Sequence, residues 1–565
     1  MDTLKNYKRE FFKDDFFAGL TVASVLIPQA MAYAMLAGMP PIYGLYCGLV
    51  PLIIYALFAS STKMSVGPVA VSSLLVLSGV SAIAEPGSPE YIQLVIAAGL
   101  IIGLLQAVFG FFKLGFVVNF LSNAVIVGFT SAAAIIILVS QLKDALGFTI
   151  PNFGLCLDTI IYATKNISQI NPISLIMSLA CVAIIYTLKK IKRTIPGPLI
   201  VVVISIALSY LFDFESKNVR IVGDIPSGLP TFEAITISLE QLQLLIPTIL
   251  TVTLISIVES MGIAKAMETK YGDHRVYPDT ELKAIGFAKI IGSFFQAMPS
   301  SGSFTRSAIN GEAGAKTTVS SLVTACFMIV TLLFLTGVFY YLPKPVLAGI
   351  ILVSVFSLFN VKQAKYIFKV RKTDFFMLLI TFICTLTLGI ELGVLTGVFF
   401  SVLAMLYKVS KPKMVTLGQL PGTNIFKDVT RFAEAKENEE IVIFRFENQL
   451  FFANASMFRD KVLEFLETRP KMKYLLLDAR LIHDIDSHGC YILQEVDQLL
   501  KSKEIELHLC GAIGQVRDRL HRSNLLGESD MHHLRISDAV ERLIDPSKQS
   551  KRKYRATQKN TKRRN

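Results

Sequence analysis

From about residue 16 to residue 407 the chain is a succession of apolar runs separated by short polar breaks. Fourteen segments are predicted, at 16–37, 43–59, 68–84, 92–112, 117–140, 172–189, 198–212, 243–267, 281–297, 304–317, 319–341, 345–359, 374–389 and 391–407. The last two read as separate spans or as one broken hairpin. Most approach the roughly 20 residues that a helix needs to cross a hydrocarbon core. The third and tenth are preceded or interrupted by Gly, Pro and hydroxyl residues that break the helix, so they read as half-helices. Beyond Lys408 the texture changes to short strand-like and helix-like groups with frequent charges, the pattern of a soluble domain.

Loop charge agrees with that count. With the N-terminus (Lys5, Lys8, Arg9, Lys13) placed in the cytoplasm, the same side receives Lys63, Lys113, Lys189 to Arg193, Lys270 with Arg275, and Lys362 to Lys372. The opposite loops carry Glu85, Glu90, Asp213, Glu215, Asp224, Glu233 and Glu240. This positive-inside bias predicts both termini in the cytoplasm. Fourteen segments divide into seven and seven, and an odd-numbered repeat inserts its second copy upside down. No strong residue identity links the halves; the repeat is inferred from placement.

Residues 296–317, QAMPSSGSFTRSAINGEAGAKT, hold four glycines or prolines, several hydroxyls and Arg306 inside an otherwise oily region. Backbone can leave the helix at membrane depth only where protein or a wet cavity surrounds it. A loop over 299–302 followed by a helix from Ser303 would aim free N–H groups and Arg306 at one place, which is an anion site in outline. Residues 60–73 repeat the device, with Gly67-Pro68 ahead of a short apolar helix. Two such broken segments at corresponding places mark the binding site of an inverted-repeat transporter.

Composition supports the membrane assignment: 52% of the 565 residues are hydrophobic, and mean hydropathy is +0.54. Nine of the net +13 charges lie in 546–565, so the basic balance does not point to nucleic acid. That tail reads as solvated, or as a contact for anionic lipid headgroups. Seven scattered cysteines imply neither a disulfide framework nor a metal site. The first apolar run is long and is followed by others, so it reads as an insertion helix and not a cleaved signal. A bacterial-type inner membrane is the expected location.

Polar residues inside the apolar runs are the remaining candidates. Gln29 and Tyr33, four apart beside Pro28, share one helical face. They are packing groups or part of a ligand wall. Glu259 sits deep in the eighth run, where an acid is costly by about 2.5–3.5 kcal/mol. It is a structural partner of Arg306 or Lys265, a proton site, or a Na⁺ ligand. Arg306 itself could neutralise Glu259 or Glu312. Lys289 and Glu391 read as interfacial or bundle-facing.

The stretches LIPQAMAYAMLAGMPPIYGLY (26–46), SVGPVAVSSLLV (65–76), SGSFTRSAINGEAGAKT (301–317) and LFFANASMFRDKV (450–462) resemble the sulfate permease (SulP) anion transporters. The resemblance implies an α-helical membrane protein with 14 transmembrane segments as a 7+7 inverted repeat, split into core and gate. It also implies a homodimer. Its anion site would lie between the third and tenth segments, so Gln29, Tyr33, Val69, Phe304, Thr305 and Arg306 correspond to anion-site positions. Ala70 and Ser303 join them as substrate-binding candidates at the starts of the half-helices. Glu259 corresponds to an acidic position used for cation coupling in some members. Sodium-dependent bicarbonate carriers of the family have Asp there and Thr four residues on. Glu259 and Ile263 stand here, which puts a proton, or plain exchange, ahead of sodium. Gly311-Glu312 and Lys316 also replace the family's usual Ala-Gln and Arg.

The soluble part is read as strands 441–446, 450–453, 474–478 and 505–510 alternating with helices 455–466, 489–501 and 513–524. This α/β layer resembles a STAS domain through DARLIHDIDSHG (478–489). Ser487 falls where bacterial relatives of that module are phosphorylated, though a serine at a helix N-cap serves structure equally well. Six of the seven histidines lie in this domain and read as solvated surface. The expected layout is a cytoplasmic N-terminus at 1–15, a transport domain at 16–408, a linker at 409–439, a STAS domain at 440–545 and a basic tail.

These features predict a secondary active transporter of small anions (sulfate, bicarbonate or dicarboxylate) working by alternating access, with a proton or a second anion as coupling partner. An anion channel and a membrane-tethered signalling module with a cytoplasmic protein partner are the alternatives. No nucleophile, metal or phosphate-loop motif points to an enzyme, and no cofactor is implied.

Overall fold

The computed structural model describes residues 7–115, 122–151, 156–191, 195–272, 275–356, 358–525 and 532–545. The chain divides into two compact units, Met1–Ser401 and Val402–Asn565.

The helices at the fourteen predicted segments follow the hydropathy closely, and Leu142–Ala145, Cys156–Lys165 and Val361–Val370 form further helices between them. The first seven of the fourteen are α1 (Phe12–Leu36), α2 (Pro41–Phe58), α3 (Ala70–Val80), α4 (Pro89–Phe111), α5 (Asn123–Ser140), α6 (Pro172–Ile191) and α7 (Gly197–Phe212). Then come α8 (Leu239–Tyr271), α9 (Pro278–Phe294), α10 (Phe304–Glu312), α11 (Val319–Val330), α12 (Lys344–Phe356), α13 (Lys372–Thr387) and α14 (Ile390–Ser410). Among the described residues, nine helical stretches are long and apolar enough to span a membrane, and Ala70–Val80 and Gly197–Phe212 are shorter apolar ones. The predicted span 319–341 is helical throughout but changes type, passing into a π turn at Thr331–Leu335 and a 3₁₀ stretch at Thr336–Tyr341. Residues 117–121, predicted as the start of the fifth span, lie outside the described residues, as does the basic tail.

Helix ends are set by local chemistry. Ser238 and Gln241 form a reciprocal capping box at the start of α8, and Gly272 closes that helix with φ of 66°. Helices α4 and α9 pack at unusually close range because a row of glycines faces the contact. A Cβ on Gly103 would stand 2.8 Å from Lys289 Cβ, and one on Gly286 2.6 Å from the Ala107 backbone nitrogen. Without a hydrophobic drive between helices in lipid, this close backbone approach is what holds such a pair. Helices α6 and α14, by contrast, leave Ile176, Leu179, Phe399 and Leu406 exposed, the apolar faces that acyl chains cover.

Two three-residue strands lie between the helices. Strand β1 (Ser65–Gly67) pairs antiparallel with β2 (Ser301–Ser303), joining Ser65 to Ser303 and Gly67 to Ser301. Strand β2 runs straight into α10, and β1 reaches α3 through Pro68 and Val69.

The second unit holds a six-stranded sheet in the order β4-β3-β5-β6-β7-β8. Strands β5 (Ile441–Glu447), β6 (Tyr474–Asp478), β7 (Glu506–Cys510) and β8 (His532–His533) are parallel, while β3 (Lys413–Gln419) and β4 (Phe426–Asp428) add an antiparallel edge. Its helices are α15 (Ala455–Thr468), α16 (Ser487–Lys501), α17 (Gly514–Arg522) and α18 (Ile536–Ile544). Side chains alternate along β5: Val442 and Phe444 enter one core, Ile441 and Ile443 the other, so both faces are covered.

Three expectations for this unit are corrected. Residues 409–439, read as a linker, supply β3 and β4. Residues 450–453 make a single bridge, Leu450 to Ile485, because Asn454 Oδ1 accepts from the Phe451 N–H and turns the chain into α15. His508 and His533 are not solvated: both are buried and meet each other, His533 Nε2 to His508 Nδ1 at 3.2 Å, with Glu506 3.1 Å from the outer nitrogen.

Asp478, fully buried at the end of β6, accepts from Arg445 Nε at 2.7 Å and from Arg480 Nε and Nη2 at 2.7 and 2.8 Å. Burial pushes its carboxyl up, but the hydrogen bonds and charges of Arg480 and Arg445 outweigh that and hold it below the usual carboxylate range.

Candidate anion site

Antiparallel pairing of β1 and β2 sends the two chains away in opposite directions, so α3 and α10 start on opposite sides of one small ribbon. The joint is reinforced by side chains. Ser307 Oγ donates to Ser303 O (2.6 Å) and accepts from the Ser65 N–H (3.0 Å), and Asn310 Nδ2 donates to Lys63 O (3.1 Å). Buried carboxylates anchor the flanking loops. Glu281 of α9 accepts from Tyr55 Oη, Ser60 Oγ and the Ser60 and Ser61 N–H groups within 2.7 Å. Asp15 of α1 accepts from the Lys316 and Thr317 N–H groups and from Thr317 Oγ1.

Arg306 stands two residues into α10 and is fully buried. Its Nη1 donates to Pro68 O at 3.1 Å and to Gln29 Oε1 at 3.3 Å. Its Nε and Nη2 have no hydrogen-bond partner among the described residues. A buried donor left unpaired costs about 1–3 kcal/mol, more when charged, so a guanidinium half satisfied by the protein is poised for an acceptor from elsewhere. Nη2 lies against Gly67, where a Cβ would stand 3.2 Å away, a close approach that the lack of a side chain there leaves uncrowded.

Helix termini add to that charge. Ser303 caps α10 through its Oγ, accepting from Arg306 N at 3.4 Å. Val69, at the N-cap of α3, has no side-chain oxygen, so the first N–H groups of α3 are without a side-chain cap. Ala70 and Val69 are buried, Thr305 is half-buried, and Phe304 is 57% exposed. Gln29 and Tyr33 are both buried on α1; Gln29 Nε2 reaches Ser354 Oγ of α12 at 3.4 Å, the hydroxyl that also meets Tyr33.

Glu259 is engaged by neither of the cations expected for it. Lys265 pairs with Glu268 (2.7 Å), Lys270 takes Glu312 (3.0 Å), and Arg306 is bonded as described. The Glu259 carboxylate accepts from Ser301 Oγ of β2 at 3.3 Å instead. Ser301 in turn contacts Ser256 Oγ (3.3 Å) and Ser260 Oγ (3.2 Å), and Ser260 Oγ accepts from the Gly302 N–H. Sequence reasoning missed this serine cluster and the ribbon that presents it. The one available signal was Ser256 and Ser260 at i, i+4 flanking the acid.

Ser487 lies in the second unit. It is the first residue of α16, and the cap belongs to Asp486, whose Oδ1 accepts from Gly489 N at 2.7 Å. The capping role read for Ser487 is thereby corrected by one position. No cluster of three metal-ligating side chains occurs among the described residues.

The sulfate permease family profile matches residues 12–381, and a STAS domain profile matches 432–542. The chain belongs to the sulfate permease family. Sulfate transporter 4.1, chloroplastic, of Arabidopsis thaliana is 35% identical over 553 residues, covering 94% of this chain and 80% of the relative. High affinity sulfate transporter 2 of Stylosanthes hamata is 32% identical over 563 residues, covering 95% and 84%. Among solved structures, SLC26A9 superposes with a TM-score of 0.88 at 27% identity, over 96% of this chain and 92% of that one. The transmembrane domain of the bicarbonate transporter BicA shares the fold of the membrane part, with a TM-score of 0.61. The chain is therefore an integral membrane anion transporter with a STAS domain, and its architecture is the helical transporter fold with a 7+7 arrangement. It is a transporter and not an enzyme.

Proposed function

We propose that the protein carries sulfate, or a divalent oxyanion of similar size, by alternating access, with Glu259 taking the coupled proton. The observation that carries this reading is the buried guanidinium of Arg306, with Nε and Nη2 unpartnered between two half-helix starts. Two parallel N–H groups match a tetrahedral oxyanion, and the electropositive starts of α3 and α10 add to the same field. Gln29, Tyr33, Val69, Ala70, Ser303, Phe304 and Thr305 would line the ligand. The sulfate transporters among its relatives favour that anion over bicarbonate or a dicarboxylate. A serine-held carboxylate, without a neighbouring cation bonded to it, is suited to binding and releasing a proton.

The protein is further proposed to act as a homodimer in a bacterial-type inner membrane, with both termini cytoplasmic. Its second unit would receive a cytoplasmic partner, regulated at Ser487, and its basic tail would meet anionic lipid. The reading is tested by uptake of sulfate, bicarbonate, chloride and dicarboxylates into proteoliposomes under imposed proton and sodium gradients. Sulfate uptake driven by an inward proton gradient, abolished or greatly weakened in Arg306→Ala and indifferent to the gradient in Glu259→Gln, is expected. Unitary currents, or uptake unaffected by Arg306→Ala, would overturn it.

A further inference from the structure

Lys289, in the middle of α9, is 2% exposed and sits at the close α4–α9 contact. A lysine buried at membrane depth is costly and marks function by default. Its Nζ donates to Gln106 Oε1 of α4 at 2.8 Å and to Ser256 Oγ of α8 at 3.0 Å. From there the donors run one way: Ser256 Oγ to Ser301 Oγ at 3.3 Å, and Ser301 Oγ to Glu259 Oε2 at 3.3 Å. An ammonium and a carboxylate are thus joined through two hydroxyls, one of them on the ribbon that carries the anion site.

The charges around this line can be counted. Glu259 is faced by Lys289 from α9, by Arg306 from α10 and by Tyr33 from α1, and Lys289 by Cys47 from α2. With Tyr33 and Cys47 neutral, Arg306, Lys289 and Glu259 sum to one positive charge. A dianion alone would leave this low-dielectric site negative. A dianion together with one proton on Glu259 leaves it neutral, and neutrality is the state that costs least to carry through a membrane.

We propose that Lys289 sets substrate valence: its ammonium is the second positive charge that makes a divalent oxyanion and one proton load together, and the line through Ser256 and Ser301 connects it to Glu259 for proton transfer. This inference rests on the reading of Glu259 as the proton site. The relay conserves atoms and charge. As Ser301 gives its hydroxyl proton to Glu259, it takes one from Ser256, which takes one from the Lys289 ammonium. Both end groups become neutral, and a proton from solvent restores the ammonium.

Purified full-length protein in proteoliposomes tests this with radiolabelled sulfate, unlabelled nitrate as the monovalent competitor, and a range of pH. Lys289→Met should shift the ratio of sulfate to nitrate apparent affinities about tenfold towards nitrate, the order expected from losing one unit charge near the site. Lys289→Arg should restore the preference for sulfate. Ser256→Ala, which keeps both charges but breaks the line, should move the pH profile of uptake while leaving the ratio in place. Monodispersity and thermal unfolding of each variant separate these effects from misfolding. Proton-driven sulfate uptake in the parent with an unchanged ratio in a folded Lys289→Met protein overturns the inference alone. Parent uptake that ignores the proton gradient overturns the reading of Glu259 instead. An unshifted pH profile in Ser256→Ala overturns the relay.

Discussion

Gly67→Ala is the most economical probe of the anion site, because it adds one methyl group and touches no charge. An ideal Cβ there lies 3.2 Å from Arg306 Nη2 and 3.4 Å from Leu26 Cδ1. The first contact is tighter than an ordinary van der Waals approach, and the guanidinium has little room to retreat, since Nη1 is held by Pro68 O and Gln29. The methyl therefore covers one of the two free donors. A hydrogen bond to a charged group contributes about 1.5–3 kcal/mol, so losing one should raise the apparent Michaelis constant for sulfate roughly ten- to a hundredfold. Proteoliposome uptake at graded sulfate concentrations measures it, with thermal unfolding as the check that the ribbon is intact. A double-mutant cycle sharpens the assay. In an Arg306→Lys background, which retains uptake but has no Nη2, the methyl has no such donor to cover, so Gly67→Ala should add almost nothing. An unchanged Michaelis constant in the single variant, or full additivity in the double, would refute the assignment of Nη2 as a ligand donor.

Arg306→Lys should retain uptake with affinity weakened by about tenfold or more, because a point charge replaces a planar fork; equal affinity in uptake assays would count against bidentate binding. Glu281→Ala strips four donors of their acceptor and should lower the thermal midpoint of the detergent-solubilised protein markedly, each exposed buried donor costing about 1–3 kcal/mol. In the second unit, the depressed Asp478 carboxyl contributes stability that is fully present above the ordinary value near 3.8 and is lost as pH falls through its lower folded value. Hydrogen exchange across 474–480 should accelerate in that acidic window, and Asp478→Asn should remove the pH dependence. At neutral pH Asp478→Ala should cost about 3 kcal/mol, the low end for a broken buried pair because Arg480 is half exposed.

The membrane helices were legible because lipid imposes a strict code: an apolar run must persist for the thickness of the hydrocarbon, and any lapse has to be explained. The lapses at 60–73 and 296–317 were correspondingly readable as half-helices, and the candidate site was read between them. What joins them was not readable. Ser-Val-Gly and Ser-Gly-Ser are too short for any period, and their pairing is decided by helices more than two hundred residues apart. Lys289 could be placed inside a helix but not given partners, because Gln106 and Ser256 come from two other helices. In the soluble unit the parallel strands stood out as apolar runs, whereas β3 and β4, partly exposed at the sheet's edge, were hidden among polar letters. The buried His508–His533 pair depends on the register of β7 against β8, which no local pattern reveals.

The miniature ribbon has a mechanical implication. Its backbone ladder, with Ser307 and Asn310 as rivets, ties the beginnings of two helices drawn from opposite halves of the chain. A gate that worked by prising those beginnings apart would have to tear the ladder on every turnover. On the proposed alternating access the cradle travels whole, presenting the same grip to its cargo at either side of the bilayer while the surrounding helices slide past.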